Sequence, residues 1–272
     1  MKEVYIESTT LPEAFHKGVM ELSMHGQLAD CSDWNLKGKE SYGQRECTMN
    51  IHINEPLKEP RISKLTIFGP RELEQYRLEV LDGILDYAVD VMGEKNGVVG
   101  PLEDYTYHNR MYYPINQVEF VKNDLKRNKE MSSRRAVIGI RNNEQDTKLD
   151  NPACLQNIQF FVREGKLDMC VLFRSNDFAN AFFMNAFAFI CFQEEIANEL
   201  GLLVGSYSHR SNSMHVYEKD FAMFDGFAKK IQNEPIETLT YEYKGYFKAF
   251  MDEETAGILA QWQEQKMKHG VE

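Results

Sequence analysis

Residues 151–177 read NPACLQNIQFFVREGKLDMCVLFRSND, and they decide the fold because two apolar runs in them are joined at Glu164–Gly165. Both runs are rich in residues that favour β-strands, and a short connection containing Gly is typical of a hairpin. A two-residue turn at this point pairs Arg163 with Lys166. The stretch therefore predicts a β-hairpin.

The same hairpin brings a cysteine close to an arginine. Counting back from the turn without a bulge places Cys154 opposite Ser175 and beside Arg174, and cross-strand neighbours lie within about 4.5–8 Å. A positive charge at that distance lowers the pKa of a thiol, and the thiolate is the nucleophilic form. A lone cysteine is more often an inert buried thiol, and a bulge would shift the register. With its arginine, however, Cys154 becomes a candidate nucleophile.

The composition is that of an ordinary globular protein without a basic surface. The chain has 272 residues, of which 43% are hydrophobic and 27% are charged, so it can bury a sizeable core. Its formal net charge of −11 argues against a general nucleic-acid-binding protein, which needs a basic surface. A small phosphorylated ligand is compatible with this charge, since it needs only a local cluster of arginines.

The cysteines and the N-terminus favour a cytoplasmic protein. Five cysteines are scattered without CxxC spacing, which indicates free thiols in a reducing compartment, and we predict no metal site. The first residues, MKEVYIESTTLPEAF, lack the apolar core of a signal peptide, and no run reaches transmembrane length. We therefore expect no association with a membrane.

No internal repeat, low-complexity tract or flexible linker divides the chain, so we expect one domain over residues 1–272. Apolar periodicity and helix-start signals predict both helices and strands. The helices are expected at residues 11–25, 70–92 and 116–129, and the strands at 47–56 and 134–142. This mixture predicts an α/β (α+β) fold in which a β-sheet is layered with helices.

The longest apolar segment, residues 178–200, predicts one long buried central helix that ends at Gly201. Only Asn180 and Asn185 interrupt its first part. A buried amide costs about 1–3 kcal/mol if it has no hydrogen-bond partner, so each asparagine needs one. Asn185 is therefore either a satisfied core amide or a group that reads a ligand.

Two further arginines, Arg134 and Arg135, follow Ser132 and Ser133 just before a predicted strand. Taken alone, they suit a solvated strand start. Arginines that converge on one place are instead typical of a phosphate site, because the guanidinium matches phosphate oxygens bidentately.

Several segments, taken together, make the chain resemble the thymidylate synthase and pyrimidine nucleotide hydroxymethylase superfamily. The resemblance runs from about residue 45 to residue 220. Its segments are SSRRAVI (132–138), PACLQ (152–156), GKLDMCVLFRSND (165–177), MNAF (184–187) and MHVYEKD (214–220). Each is weak alone, but their common order and spacing is a strong signal. The resemblance implies a thymidylate synthase-like fold with a mixed β-sheet.

The resemblance also implies roles for individual residues. Cys154 matches the nucleophile that adds to C6 of the pyrimidine, Glu72 a glutamate that organises water and proton transfers, and Tyr107 a tyrosine near the C5 proton. The other matches are phosphate ligands (Arg174, Ser175, and Arg134 and Arg135 donated across a homodimer interface), the base-reading amide (Asn185), sugar ligands (His215, Tyr217) and a folate ligand (Asp177). Without the resemblance, Glu72 and Asp177 would be helix-end carboxylates, and His215 and Tyr217 would be packed neighbours on one strand face.

The implied reaction transfers one carbon from 5,10-methylenetetrahydrofolate to C5 of a pyrimidine nucleoside monophosphate. The Cys154 thiolate adds to C6, C5 attacks a carbon at the formaldehyde oxidation level, and loss of the C5 proton leaves an exocyclic methylene. Water then gives a hydroxymethyl group and hydride gives a methyl group, so the exclusion of water decides the product.

Some positions depart from the common thymidylate synthases. Leu155 stands where those enzymes have His, and His108 and Ala181 stand where they have Gly. The tail, residues 246–272, is polar and predicted to be helical, whereas theirs is short and apolar. The two tryptophans, Trp34 and Trp262, lie outside the region where those enzymes have a Trp beside the folate. The usual N-terminal phosphate-loop arginine has no clear match, and the candidates for it are Lys37, Lys39 and Arg45.

These departures, together with RELEQY (71–76) and RSND (174–177), which resemble phage hydroxymethylases, favour hydroxymethyl transfer. Asn185 favours uracil, but a flipped amide suits cytosine, and nothing fixes the 2′ position of the sugar. The substrates dUMP, dCMP, UMP and CMP thus stay open. The alternatives are a divergent thymidylate synthase that converts dUMP to dTMP, and a nucleotide-binding protein without catalysis.

Overall fold

The computed structural model describes residues 1–31, 42–95, 98–127 and 131–271. The strands are β1 Glu3–Ser8, β2 Gln27–Cys31, β3 Tyr42–Ile53, β4 Ile62–Ser63, β5 Met92–Lys95, β6 Val98–Pro101, β7 Val137–Gly139, β8 Leu155–Arg163, β9 Lys166–Asp177, β10 Leu203–Tyr217 and β11 Thr240–Tyr241. The α-helices are α1 Leu11–His25, α2 Pro70–Leu81, α3 Tyr87–Asp90, α4 Tyr107–Tyr112, α5 Gln117–Leu125, α6 Asn143–Asp146, α7 Phe183–Leu200, α8 Phe221–Asn233 and α9 Lys248–Lys268.

A seven-stranded sheet positions the candidate site. Its strand order is β1-β3-β10-β9-β8-β7, and β2 pairs with β3. The pairs β1/β3 and β9/β10 are parallel, whereas β3/β10, β8/β9 and β7/β8 are antiparallel. The predicted mixed sheet is therefore confirmed, and the two longest predicted strand runs occupy neighbouring positions within it.

The hairpin of β8 and β9 turns where the sequence predicts. Glu164 and Gly165 have φ angles of 50° and 73°, which is the left-handed pair of a two-residue turn, and Arg163 pairs with Lys166. The register shifts once between Leu155 and Asn157, which makes a β-bulge. The prediction of a regular register is wrong beyond this bulge.

The predicted helix starts are confirmed, but two predicted helices are shorter: α5 ends at Leu125 rather than residue 129, and α2 ends well before residue 92. In α1, the Thr10 side chain caps the first turn and Pro12 lies near its start. The helix from Pro70 ends at Leu81 rather than near residue 92, because Gly83 adopts a φ of 64° that a helix cannot contain.

The segment 178–200 is the buried centre of the molecule, as predicted. A π-helical turn, Phe178–Phe182, leads into α7, which ends at Gly201 with a φ of 68°. The rings of Phe15, Phe178 and Phe182 stack, with centroids 5.2 Å apart between the first two and 4.8 Å between the last two. This aromatic stack packs α1 against the start of α7.

The tail is helical, as predicted, and lies along α2. Thr255 of α9 donates to Glu74 at 2.8 Å, and the second guanidinium nitrogen of Arg71 donates to Gln261 at 3.0 Å. Arg71 also pairs with Glu254. These contacts hold α9 against the side of α2 that carries Glu74.

Candidate active site

Cys154 lies immediately before β8, where the bulge at Gln156 places it opposite Arg174 rather than opposite Ser175 as predicted. The Arg174 backbone N–H donates to the Cys154 carbonyl oxygen at 2.8 Å. The Arg174 guanidinium donates to the carbonyl oxygens of Pro152 (2.6 Å) and Ala153 (3.2 Å). The structure therefore brings the guanidinium to the loop that carries the thiol, although one position away from the predicted register.

The Cys154 thiol does not have the lowered pKa that the sequence predicts. Burial raises its pKa above the ordinary value, and the charge of Arg174 opposes that rise without cancelling it. The predicted direction is wrong because desolvation of the half-buried thiol outweighs a single cation whose N–H groups are shared with backbone carbonyls.

Three tyrosines surround Cys154. The Leu155 N–H donates to the Tyr107 hydroxyl at 3.4 Å, and the Cys154 backbone and thiol are close enough to Tyr105 to act on its pKa. Tyr76 of α2 is close enough for a thiolate charge to act on it. Burial raises the pKa of Tyr105 to about 12 and those of the other two phenols well above their usual range. All three therefore stay protonated near neutral pH and can donate hydrogen bonds.

The candidate phosphate and sugar ligands lie on two parallel strands. Ser175 pairs with Ser213, and Asp177 pairs with His215, across β9 and β10. His215 Nδ1 lies 3.4 Å from Ser175 Oγ, and the rings of His215 and Tyr217 are 4.8 Å apart at 74°. The candidate groups from these strands therefore form one continuous polar edge.

Asp177 caps the turn that leads into α7. Its carboxylate accepts the N–H groups of Ala179 and Asn180 at 3.0 and 3.1 Å, and the Asn180 side chain at 2.8 Å. This is the helix-cap position that the simpler interpretation predicts. A carboxylate has about four acceptor positions, so half-buried Asp177 can accept a further ligand donor. The Asn180 side chain also donates to Asp220 at 2.8 Å, so this amide has the hydrogen-bond partners that its burial was predicted to require.

Asn185 lies on α7 with only 6% of its surface exposed. Its Oδ1 accepts the Tyr76 hydroxyl, and its Nδ2 donates to Asn176 Oδ1 at 3.3 Å. The expected hydrogen-bond partners of this amide are thus present. An amide offers two hydrogens and two lone pairs, so Asn185 keeps one of each for a ligand.

Glu72 is an exposed carboxylate in the first turn of α2, where it accepts the Gly69 N–H at 2.8 Å. Glu79 lies seven residues further, on the same side of the helix as Glu72 and Tyr76. Burial raises the pKa of Glu79, and its carboxylate accepts the Gln75 side chain at 2.9 Å. The resemblance assigns the catalytic carboxylate to Glu72, whereas burial favours Glu79.

Arg134 and Arg135 do not join Cys154. They line a cleft of about 450 Å³ whose other residues are Asp124, Arg127, Ser132, Ser133 and Arg163. Val137 pairs with Gln159, and the Ala136 carbonyl accepts the Phe160 N–H. Arg134 and Arg135 therefore lie beside residues six to eight positions along β8 from Cys154, which corresponds to roughly 20–26 Å of extended strand. Arg135 is 63% exposed and pairs with Asp124. These two arginines are therefore too far from Cys154 to reach a nucleotide bound there in the same chain.

The candidate phosphate-loop cations and the two tryptophans are described only in part by the structure. Arg45 pairs with Asp225 at 2.8 Å, so its guanidinium is occupied within the chain. Trp262 of α9 packs against Tyr87, in the segment that follows α2, with ring centroids 6.2 Å apart. The other residues of this group lie outside the described residues: Trp34, Lys37 and Lys39.

His108 stands where the common synthases have Gly, and the structure accommodates it with specific partners. Its Nδ1 lies 2.6 Å from Asp86 Oδ2, and its ring stacks on Tyr112 at 4.2 Å. A Cβ on Gly83 would lie 2.2 Å from the imidazole. Gly83, which follows α2, therefore leaves the space that the His108 ring occupies.

The structure also identifies site residues that the sequence analysis missed: Tyr76, Tyr105, Asn176, His209 and Glu79. His209 lies in the polar run YSHRSN (207–212), and such a run inside a long strand was a usable signal for a functional residue. Tyr76 and Glu79 lie on the amphipathic helix α2, and the amphipathic pattern does not show which of its polar residues face the interior.

Comparison with known proteins defines the family. The family model for thymidylate synthase matches residues 71–256. The chain belongs to the thymidylate synthase family. Several relatives carry the name "Putative thymidylate synthase". The one from Methanocaldococcus jannaschii is 34% identical over 228 residues, covering 79% of this chain and 92% of that protein. The one from Methanosarcina barkeri is 25% identical over 229 residues, covering 83% and 95%.

Bacterial family members give the same result. A thymidylate synthase from Bacillus licheniformis is 30% identical over 164 residues, covering 60% of this chain and 53% of that protein. Among solved structures, thermostable thymidylate synthase A from Bacillus subtilis superimposes with a TM-score of 0.60 at 18% identity, over 86% of each chain. The predicted superfamily and fold are therefore confirmed, and the protein is a one-carbon transferase. Among the described residues, no helix is both long and apolar enough to cross a membrane.

Proposed function

We propose that this thymidylate synthase family member transfers a one-carbon unit from 5,10-methylenetetrahydrofolate to C5 of a pyrimidine nucleoside monophosphate, and that its product carries a hydroxymethyl group. It does so in the cytoplasm as a homodimer of single-domain chains. The observation that carries the proposal is Cys154, held opposite Arg174 at the edge where the polar groups of β9 and β10 converge.

Cys154 supplies the nucleophile. Its thiol is half-buried beside Arg174, so a phosphate bound by Arg174 and Ser175 would place a pyrimidine ring within reach of the sulfur. Attack of sulfur on C6 moves electron density to C5. The raised pKa of the thiol means that a base must take its proton as the bond forms.

The other groups orient the nucleotide. Asn185 presents one N–H and one lone pair to the base, and His215 and Tyr217 face the sugar from β10. Tyr107 stays protonated because of its raised pKa, so it can donate to the proton carrier at C5.

The residues present fit a folate. Half-buried Asp177 ends β9, beside the strand positions of Arg174 and Ser175, and its carboxylate has acceptor capacity for a pterin N–H. When bound, the folate supplies a carbon at the formaldehyde oxidation level and, in methylation, also a hydride. Asp177 would fix the folate ring over the nucleotide, and Glu72 or Glu79 on α2 would hold the water that moves protons.

The position of the tail supports hydroxymethylation over methylation. The contacts of α9 include α2, the Tyr243–Phe247 turn that precedes it and, through Trp262, Tyr87. A tail held in this way leaves water free to reach an exocyclic methylene at Cys154. The rival product is dTMP, and the names of the archaeal and bacterial relatives support that rival.

The arginine cleft supports a homodimer. Arg134 and Arg135 lie beside positions of β8 that are roughly 20–26 Å of strand from Cys154 of their own chain. Arginine reaches only a few ångströms beyond its backbone, so these residues can meet a nucleotide phosphate only in another copy. A two-fold dimer would supply both sites in this way.

The deciding experiment is a product assay by mass spectrometry with 5,10-methylenetetrahydrofolate and, separately, dUMP, dCMP, UMP and CMP. A gain of one CH2O unit on a nucleotide, with tetrahydrofolate formed, is the expected result. A gain of CH2 with dihydrofolate formed would mean a thymidylate synthase. No product with any of the four would shift the assignment to a nucleotide-binding role.

A further inference from the structure

A chain of hydrogen bonds runs inward from the base-reading amide. The Tyr76 hydroxyl donates to Asn185 Oδ1, Asn185 Nδ2 to Asn176 Oδ1 at 3.3 Å, and Asn176 Nδ2 to His209 Nε2 at 3.0 Å. His209 Nδ1 lies 3.0 Å from the Tyr207 hydroxyl oxygen. We call these five side chains the amide chain.

The inner part of the amide chain is dry and rigid. Asn176, His209 and Tyr207 are 4%, 1% and 0% exposed. The His209 ring stacks on Phe173 at 4.7 Å and 9°, and Phe182 meets it edge-on at 4.9 Å. These rings prevent the imidazole from turning over, so its two nitrogens keep their partners.

The amide chain has a direction. Burial lowers the pKa of His209 to about 3, so the ring is neutral near pH 7 and carries one hydrogen. Nε2 accepts from Asn176, so the hydrogen is on Nδ1 and is donated to the Tyr207 oxygen. Every bond from Tyr76 to Tyr207 therefore points inward.

No member can reverse alone. If the Asn185 amide turned over, its Nδ2 would face Tyr76 and its Oδ1 would face the Asn176 oxygen. Asn176 would then have to turn, which moves the His209 hydrogen to Nε2, and Tyr207 would become the donor. A single reversed amide would leave two acceptors facing each other in a buried place, which costs free energy.

We propose that the amide chain decides which pyrimidine Asn185 accepts, and that Tyr207 and His209 are positioning residues for this choice although they lie behind Asn176. The inference rests on the proposed function. Uracil presents an acceptor at O4 beside a donor at N3, and cytosine presents the reverse. A fixed amide pairs fully with only one of them.

The test measures the dissociation constants of the uracil and cytosine nucleotides by calorimetry, in the deoxyribose and ribose series, for wild type and Tyr207→Phe. In Tyr207→Phe the inward direction leaves the buried Nδ1 hydrogen without an acceptor, so this direction becomes less stable relative to the reverse. We expect the affinity ratio of the two bases to fall about tenfold towards one. Tyr243→Phe, a change beside Arg61 and away from the amide chain, is the matched control and should keep the wild-type ratio.

Tyr76→Phe provides a second variant at the other end of the amide chain and should lower the same ratio. General damage to the fold would weaken both nucleotides equally and leave the ratio unchanged. Folded Tyr207→Phe and Tyr76→Phe proteins with the wild-type ratio would overturn the inference, as would a wild type that binds both bases equally. A wild type that binds no pyrimidine monophosphate would instead overturn the proposed function, and the inference with it.

Discussion

Arg174 and the pair Arg134 and Arg135 lie at opposite ends of the same group of strands, and their surroundings differ. Arg174 is half-buried, and two backbone carbonyls within 2.6–3.2 Å hold its guanidinium. Arg135 is 63% exposed and pairs with Asp124 in an open cleft. One cation is fixed by its own chain, and the others are presented outward.

This difference indicates how the two ends contribute to catalysis. Under the proposed function, Cys154 is the nucleophile, and it lies with a fixed cation and three protonated phenols of the same chain. In the same proposal, the arginines of the cleft end contribute to catalysis in the site of a second copy. The predictions below test this division.

The largest effect is expected at Cys154. Cys154→Ser should lower product formation by at least about a thousandfold, because the hydroxyl is a far weaker nucleophile than the thiolate. Nucleotide binding, measured by calorimetry, should persist. Cys170→Ser on the neighbouring strand is the control and should keep near wild-type turnover. Activity that survives in Cys154→Ser would remove the nucleophile from the proposed site.

The next prediction uses mixed dimers. Cys154→Ser and the double variant Arg134→Ala/Arg135→Ala should each be inactive, and re-equilibrated mixtures should recover about one quarter of wild-type activity. Half of the dimers would be mixed, and each would have one complete site. Mixing Cys154→Ser with Arg174→Ala should restore nothing, because both changes affect the same chain's site. Equal recovery in the two mixtures would contradict the proposed division of the two ends.

The third prediction concerns the carboxylates of α2. Glu79→Gln should lower kcat by about ten- to a hundredfold, the usual range for a proton-transfer group. Glu72→Gln should change kcat less than twofold and destabilise the fold by about 0.5–1 kcal/mol, since it removes a charged helix-start contact. Steady-state kinetics and urea unfolding measure both. The opposite order of effects would return the proton-transfer role to Glu72.

The last prediction concerns stability rather than activity, and it involves two buried histidines, His209 on β10 and His16 on α1. Burial lowers the pKa of His209 to about 3 and of His16 to about 4. The unfolded chain takes up these protons below about pH 6.5 and the native chain does not. The free energy of unfolding should therefore fall as the pH decreases from 6.5 towards 4, by on the order of 1 kcal/mol per pH unit for each histidine.

Urea unfolding at pH 7 and pH 5 measures this slope. His16→Gln should flatten it, whereas His25→Gln at an exposed helix end should not. A slope that is equal in wild type and His16→Gln would show that His16 is protonated in the native protein.

The sequence predicted the elements that depend on local signals. The Glu164–Gly165 turn, the cap of α1 and the stop at Gly201 each follow from residues that permit few conformations. The prediction that α2 extends beyond Leu81 was wrong. The apolar periodicity of the sequence continues across Gly83, whereas the helical backbone ends before it. The periodic signal is insensitive to a single residue with positive φ.

The site could be predicted only in part. Motif order located Cys154 and the polar edge of β9 and β10, but the bulge at Gln156 shifted the pairing, and no sequence signal marks a bulge without Gly. The pKa of the Cys154 thiol depends on both its burial and the position of Arg174, and neither could be known from the sequence. The amide chain joins residues more than a hundred positions apart, as with Tyr76 and Asn185, so it exists only in the folded protein.

The bulge at Gln156 restricts where this chain can gain or lose residues during evolution. Side chains alternate between the faces of a strand, so deletion of one residue between Cys154 and the turn would rotate the thiol to the opposite face. The exposed Glu164–Gly165 turn tolerates added residues far better. Length changes among descendants should accumulate at that turn, and a relative lacking the residue equivalent to Gln156 would have lost the use of this cysteine.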